Sequence, residues 1–453
     1  MTRDSLPPGP RAPAFWQLVR WIREPIPFLL ECRQRYGACF TVRFPNLPPY
    51  VLFSEPEAIQ EIFLADPDVL QAGKAHGVLR PLLGDYSLLT LDGERHRRHR
   101  RLMTPPFHGQ RMHAYAAALR DVTHREIERW PVGEPFPIHL RMQSITLEIM
   151  LRAVFGLMEG PRLTEVRERV LRLITFIGNP RGLGAGLAWW LQRDLGLLTP
   201  WQAMLRARRD VMETLLDEMT RRRASGADGT DILSLLLSAR DDDGQPMTDA
   251  EVLDELVTMI FAGHETTATA LAWCFHRLLG DPAVMGRVMD ELHRVAGTGP
   301  LEPQRASDLV YLDATIKETL RVNPILAQVG RRVTRPMRIG GRDLPAGVHA
   351  VTSIYLTHHN PTVWPDPERF VPERFLGIKP SPYAWLPFGG GTRHCLGMSF
   401  ALYEMRLILA ETLLSVRLRS ASRRGTRPVR RGITFAPWGG TPVVVEGRAG
   451  GGA

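Results

Sequence analysis

Lysine is almost missing from this 453-residue chain. Only Lys74, Lys317 and Lys379 occur, which leaves 54 of the 57 basic residues as arginine. That skew reflects coding bias more than chemistry. Against 48 acidic residues the formal charge is +9, with arginine-dense runs at Arg95–Arg101 and Arg417–Arg431. No helix-turn-helix, zinc-knuckle or RNA-binding signature accompanies the charge, so a basic docking face for an acidic protein is a better expectation than nucleic acid. Cysteine is scarce too. Cys32, Cys39, Cys274 and Cys395 show no paired spacing, which excludes a disulfide-built secreted domain and fits a reducing cytosol. No apolar run reaches the roughly 18 residues of a membrane span, and the longest candidate, Gly182 to Leu191, is half that. The opening MTRDSLPPGPRAPAFW lacks the apolar core of a signal peptide. A cytoplasmic protein without a transmembrane anchor is expected. Solenoid periods and long linkers are also missing, since the breaks at Ala224–Thr230 and Arg240–Thr248 have the length of loops. A single domain over 1–453 is therefore expected, with 448–453 as a frayed tail.

Helical periodicity is what the chain has in plenty. Arg111 to Trp130 and Trp201 to Arg223 repeat apolar residues at intervals of three and four. Thr248 to Gly280 is the longest such pattern. It opens on a capping box, Thr248-Asp-Ala-Glu251, and closes on Gly280-Asp-Pro282. Alternation marks strands at Cys39–Phe44, Tyr50–Phe53 and Thr441–Val445, and Asn360–Phe375 reads as an ordered meander. The fold class expected is mainly α with small β-sheets, built on one long central helix.

The strongest chemical signal is Phe388-Gly-Gly-Gly-Thr-Arg-His-Cys-Leu-Gly397. A glycine-rich loop delivers Cys395 just ahead of a helical pattern, where the helix dipole and free N–H groups favour a thiolate. Small residues on the approach let a flat ligand lie against the backbone, and Arg393 can meet a carboxylate on that ligand. A lone cysteine is usually an inert buried hydrophobe, which suits Cys32, Cys39 and Cys274 but not Cys395 in this setting. Zinc needs three or four clustered ligands, and only His394 is at hand.

The ten residues resemble the haem-binding loop of the cytochrome P-450 monooxygenases, F-G-x-G-x-R-x-C-x-G, at every specified position. The resemblance implies a thiolate-ligated haem b with Cys395 on the iron and Phe388, Arg393 and Gly397 at the cofactor, a ligation that favours O–O cleavage. Glu318 and Arg321, spaced i and i+3 on one helix face, would alone be an ordinary ion pair. With Arg374 in Phe370-Val-Pro-Glu-Arg-Phe375 they are similar to the family's Glu-Arg-Arg triad, a structural brace; Arg369 repeats the motif, and the family's spacing selects Arg374.

Ala262-Gly-His-Glu-Thr-Thr267 lies in the middle of the long helix. Glycine there costs about 1 kcal/mol relative to alanine, so something must approach the backbone, while the plain alternative is a kink filled by threonine side chains. In the family this pattern holds an acid–alcohol pair, which places Glu265 and Thr266 as the proton-delivering residues that make O–O cleavage outrun release of hydrogen peroxide. His264 falls on a variable position and reads as a packed histidine. His96 and Arg100, i and i+4 in a helix that otherwise looks like a solvated charge patch, match the family's H-x-x-x-R pair for the haem propionates. Arg331 resembles a further propionate partner. Arg332 beside it would point to the opposite face of a strand, so only one of the two can serve.

By the same resemblance the substrate pocket draws on Leu79, Leu82, Leu83, Tyr86, Phe176, Trp189, Met259, Ala262, Ile325, Leu326, Gln328 and Trp438. The set is apolar and carries no carboxylate clamp. A fatty acid, terpenoid, steroid or polyketide fits it. The activity implied is hydroxylation or epoxidation by insertion of one oxygen atom from O2. Electrons would come from an acidic ferredoxin with its reductase, docking on the arginines around His96, because no redox module is fused. A haem-binding sensor or carrier is the rival from another class, and the acid–alcohol pair speaks against it. An oxidative coupling enzyme of the same fold remains open.

Overall fold

A computed structural model describes residues 6–107, 115–156, 160–178, 199–225, 229, 231–297, 300–422 and 425–448. Its axis is the helix Asp249–Gly280, 32 residues long and so about 48 Å from end to end. The capping box expected from sequence is formed: Thr248 accepts from the Glu251 N–H, and the Glu251 side chain accepts from the Thr248 N–H. Leu271, Trp273, Cys274 and Phe275 are buried along this central helix, around which the largest hydrophobic cluster assembles. The helix Ile138–Phe155 crosses it at Gly263, where a Cβ would meet Met150 Sδ at 2.9 Å. The close approach inferred from Gly263 is thus supplied by a neighbouring side chain.

The sheets are small, as expected. The largest has five strands in the order Cys39–Val42, Tyr50–Phe53, His349–Ser353, Gln328–Val333 and Leu70–Gln71, with only the second pairing parallel. A three-stranded sheet joins Pro135–Pro137, Pro442–Arg448 and Val416–Ser420. The hairpin Pro428–Arg431 with Thr434–Pro437 hangs on the central helix through Trp273 Nε1, which donates to the Phe435 carbonyl at 2.8 Å.

Several boundaries differ from expectation. The first strand stops at Val42 because residues 45–47 form a turn. Arg448 is no frayed end: it closes a strand and donates to the carbonyls of Ile127, Glu128 and Trp130. The helix sought at Arg111–Trp130 is described from Ala116 to Glu128, and that at Trp201–Arg223 runs from Pro200 to Ser225. The meander ends in a 3-10 turn, Pro372–Phe375. No described helix is long and apolar enough to cross a membrane.

Candidate functional site

The Cys395 loop is closed by its own backbone, Cys395 N–H to the Phe388 carbonyl at 2.9 Å, with Gly389 and Gly391 at φ of 67° and 64°. Two of its glycines answer to protein, not ligand. A Cβ on Gly390 would lie 2.2 Å from the Phe63 ring, and one on Gly391 would lie 2.2 Å from the Phe63 carbonyl. Gly389 and Gly397 are different, because a Cβ there would meet nothing within 4 Å. Cys395 is solvent-accessible although the fold surrounds it, so its thiol looks into an internal recess. The expected thiolate is not favoured by the protein alone. Its helix begins only at Met398, and burial raises the thiol pKa against the Gly397 N–H and the charge of Arg100.

Glu318 and Arg321 form a fully buried bidentate pair, Nε to Oε2 at 2.7 Å and Nη2 to Oε1 at 2.8 Å. Arg374 Nε stands 3.5 Å from Glu318 Oε1, and the Val371 N–H donates to the same oxygen at 2.9 Å. Arg369 contributes only its carbonyl, which accepts from Arg321; its own guanidinium is exposed. The brace reaches the cysteine loop through a residue that sequence did not disclose. Arg321 Nη1 donates to the His358 carbonyl at 2.8 Å, and His358 Nε2 accepts the Leu386 N–H at 2.7 Å, two residues before Phe388. A backbone N–H can only donate, so the His358 proton sits on Nδ1, which faces the Arg321 carbonyl at 3.1 Å.

Arg100, Arg331 and Arg393 gather beside the loop together with His96 and His76. Burial lowers all three guanidinium pKa values, to about 10 for Arg331 and Arg393. Burial, then Arg393, Arg100 and Arg331, push His96 down to about 3; burial and Arg331 push His76 to about 4. Arg393 does not wait for a ligand carboxylate, since it pairs with Asp92 at 2.7 Å and also donates to the Leu88 and Leu91 carbonyls. Among the described residues Asp92 is the one carboxylate that opposes Arg331 and Arg393, and none opposes Arg100. Three arginines against one aspartate leave about two positive charges uncompensated, an environment that attracts a dianion. The strand separates the neighbours: Arg331 is buried toward Arg393, whereas Arg332 lies on the other face beside Tyr50 and His349.

The central helix is buried from Glu251 to Ile260 and again from Thr267 to Phe275, but accessible at Phe261, Ala262, Gly263, Glu265 and Thr266. The opening falls on the acid–alcohol motif. Thr266 Oγ1 donates to the Ala262 carbonyl at 2.6 Å, leaving the oxygen's lone pairs free to accept. Burial raises the Glu265 carboxyl pKa. His264 points away, to Thr146 at 3.0 Å, and burial lowers it to about 4, a packed histidine as expected.

The expected pocket set divides. Leu82 and Phe261 line an apolar pocket with Val170, Leu173, Val211 and Val257. Leu79, Ala262, Leu326 and Gln328 are partly accessible. Leu83 is completely buried and touches no open space, while Met259 and Ile325 are nearly so; these three pack the core. Tyr86 is drawn off toward Arg95, whose guanidinium lies 5.0 Å over its ring, and Trp438 is largely exposed. Trp189 and the side chain of Phe176 lie outside the described residues. The arginines expected to greet a partner are also committed elsewhere: Arg97 pairs with Glu94, Arg98 with Asp241 and Glu251, and Arg101 with Asp242.

The cytochrome P450 family model matches residues 7–437. The chain belongs to the cytochrome P450 family. Its relatives include a putative cytochrome P450 135B1 of Mycobacterium tuberculosis, 38% identical over 98% of this chain and 92% of the relative, and a putative cytochrome P450 138 of the same species, 36% identical over 98% and 97%. Among solved structures it is similar to a retinoic acid-bound cyanobacterial CYP120A1, with a TM-score of 0.84 at 25% identity over 97% of this chain and 99% of the other. A cytochrome P450DA haem domain shares the fold, with a TM-score of 0.86 at 21% identity over 97% of each chain. Membership implies a monooxygenase with thiolate-ligated haem. The residues of this P450 fit that group: an accessible thiol on Cys395, two glycines with open space at Cβ, and an unbalanced set of cations suited to two propionates. Among the described residues no His, Cys, Asp and Glu cluster offers a separate metal site.

His358, Asp92 and His76 are the site residues that sequence reasoning missed. None stands in a local pattern. Their partners are 28 positions away for His358 and 301 for Asp92.

Proposed function

We propose that this P450 inserts one oxygen atom from O2 into a C–H or C=C bond of an apolar substrate of the fatty-acid, terpenoid, steroid or polyketide class, using electrons from a separate acidic ferredoxin. The observation that carries the reading is the acid–alcohol pair in the accessible stretch that interrupts the buried middle of the central helix, between Ile260 and Thr267. When bound, the haem would supply oxygen activation; Cys395 would hold its iron, and Arg100, Arg331, Arg393 and His96 would hold its carboxylates. The chain's own residues do the rest. Glu265, with its pKa raised by burial, holds a proton near neutral pH more readily than an exposed carboxyl, and Thr266 offers a hydroxyl to pass it on. Apolar walls such as Leu82 and Phe261 exclude water and bind by area, not by hydrogen bonds. The retinoic acid in the CYP120A1 relative is a lipophile of the proposed kind. The +9 charge supports an acidic electron donor, although the ion pairs of Arg97, Arg98 and Arg101 reduce the field that the basic helix itself provides.

Thr266→Ala tests this reading. Haem content and substrate affinity should stay near wild type while hydrogen peroxide replaces at least half of the product per electron pair consumed. Fully coupled turnover in Thr266→Ala would refute the assigned proton path.

A further inference from the structure

A polar cluster surrounds the Glu265 carboxyl, formed by residues not assigned so far. Two helices meet there with i, i+4 pairs on each: His139 and Gln143 on Ile138–Phe155, and Glu265 and Thr269 on the central helix. Gln143 Nε2 donates to Glu265 Oε2 at 2.5 Å, and Thr269 Oγ1 donates to Glu265 Oε1 at 3.4 Å. The strand Pro428–Arg431 closes the third side. Arg431 Nε stands 4.0 Å from Glu265 Oε1, and its Nη1 donates to His139 Nδ1 at 3.2 Å. The side chains of Arg431, Glu265 and His139 are 38%, 21% and 0% exposed, so the cluster runs from the surface inward past the half-buried carboxyl.

Protonation states follow from the donors. A guanidinium only donates, so His139 Nδ1 accepts and its proton sits on Nε2, facing Thr269 Oγ1 at 3.2 Å and Glu265 Oε1 at 3.6 Å. Burial, Arg431 and His264 hold the His139 pKa down to about 3, which keeps the ring neutral at working pH. Gln143 and Thr269 therefore donate to Glu265, while Arg431 and His139 stand near it as charge and N–H without a hydrogen bond. Burial raises its pKa, while Gln143, Arg431 and Thr269 pull the other way. The Gln143 amide can turn over and present its oxygen where its NH2 stood, which then accepts from a protonated carboxyl. The cluster suits both forms of Glu265 with little movement of other heavy atoms.

We propose that His139, Gln143, Thr269 and Arg431 are positioning residues that load Glu265 with its proton, water reaching the carboxyl along Arg431 on the hairpin face. The inference rests on Glu265 being the acid of the monooxygenase reaction. One solvent proton, delivered as hydronium and leaving water behind, neutralises the carboxylate, and that proton leaves toward Thr266, restoring the carboxylate; no electrons move.

The test is an infrared pH titration of the Glu265 carboxyl in the full chain without turnover, its C=O band identified as the one lost in Glu265→Gln. Arg431→Gln and Gln143→Leu should each shift the midpoint upward, and Arg431→Lys should return it toward wild type. In turnover, Arg431→Gln should enlarge the solvent isotope effect at least twofold with substrate affinity unchanged. Because Arg431 is partly exposed, its variants should keep the wild-type urea midpoint. Unmoved carboxyl midpoints in both Arg431→Gln and Gln143→Leu would overturn the loading role, even with Thr266→Ala uncoupled. Coupled turnover in Thr266→Ala would instead remove the parent reading, so the two failures are distinguishable.

Discussion

The Nε2 atom of His358 accepts the backbone N–H of Leu386 at 2.7 Å, and its Nδ1 faces the Arg321 carbonyl at 3.1 Å. One neutral ring thereby joins the buried Glu318–Arg321 pair to the segment that carries Cys395. Burial pushes the His358 pKa well below its ordinary value, which keeps the ring neutral and both bonds intact.

His358→Leu removes both partners from buried backbone groups. A loss of about 2 to 4 kcal/mol is expected from two unsatisfied groups, read as a lower urea midpoint. Haem retention should fall with it, since the loop loses its anchor. A variant with wild-type stability and haem content would show that the loop is held elsewhere.

Cys395→Ser tests ligation. Wild-type protein, reduced and exposed to carbon monoxide, should show the red-displaced Soret band of thiolate ligation, and the serine variant should lose that band or most of its haem. An unchanged spectrum would contradict the assignment.

Arg331 and Arg332 make an internal control. Arg331→Gln should weaken haem binding about 10- to 100-fold, the equivalent of one charge-assisted contact. Arg332→Gln, on the opposite face of the strand, should leave it within about twofold. Haem-transfer kinetics to apomyoglobin would measure both.

Acid should unfold this P450 early. His139 is held down to about 3 and His264 and His359 to about 4, in each case mainly by burial, so each is neutral when folded and free to charge near pH 6.5 when unfolded. The unfolded chain then binds more protons, so stability is complete above about pH 6.5 and falls as pH drops toward 4. Each histidine contributes a slope of about 1.4 kcal/mol per pH unit in that window. Urea midpoints at pH 8, 7, 6 and 5 should be flat at first and then drop; a flat series down to pH 5 would show that these rings charge in the folded state.

What could be read from sequence was local. The Thr248 capping box and the Glu318–Arg321 spacing each fit within one helical turn, so they were legible before any fold was known. Arg331 could not be told from Arg332 until strand pairing set Arg331 opposite Ala350 and Arg332 opposite His349. Gly390 and Gly391 looked like room for a ligand, but the ring and carbonyl of Phe63, more than 300 positions earlier, account for them. Resemblance to the family's segments puts Leu83 and Met259 at the pocket, and a matching segment does not say which of its apolar side chains turns into the core.

The bond from Trp273 to Phe435 has a consequence for how the molecule is made. It suspends from the central helix a hairpin that is synthesised well after that helix, and that hairpin brings Arg431 to His139 across 292 positions. Until that hairpin has left the ribosome, Trp273 Nε1 lacks its acceptor. The nascent protein therefore waits for residues 428–437 before this part of its interior can close, and a chaperone that shields the central helix during that interval should raise the yield of folded protein.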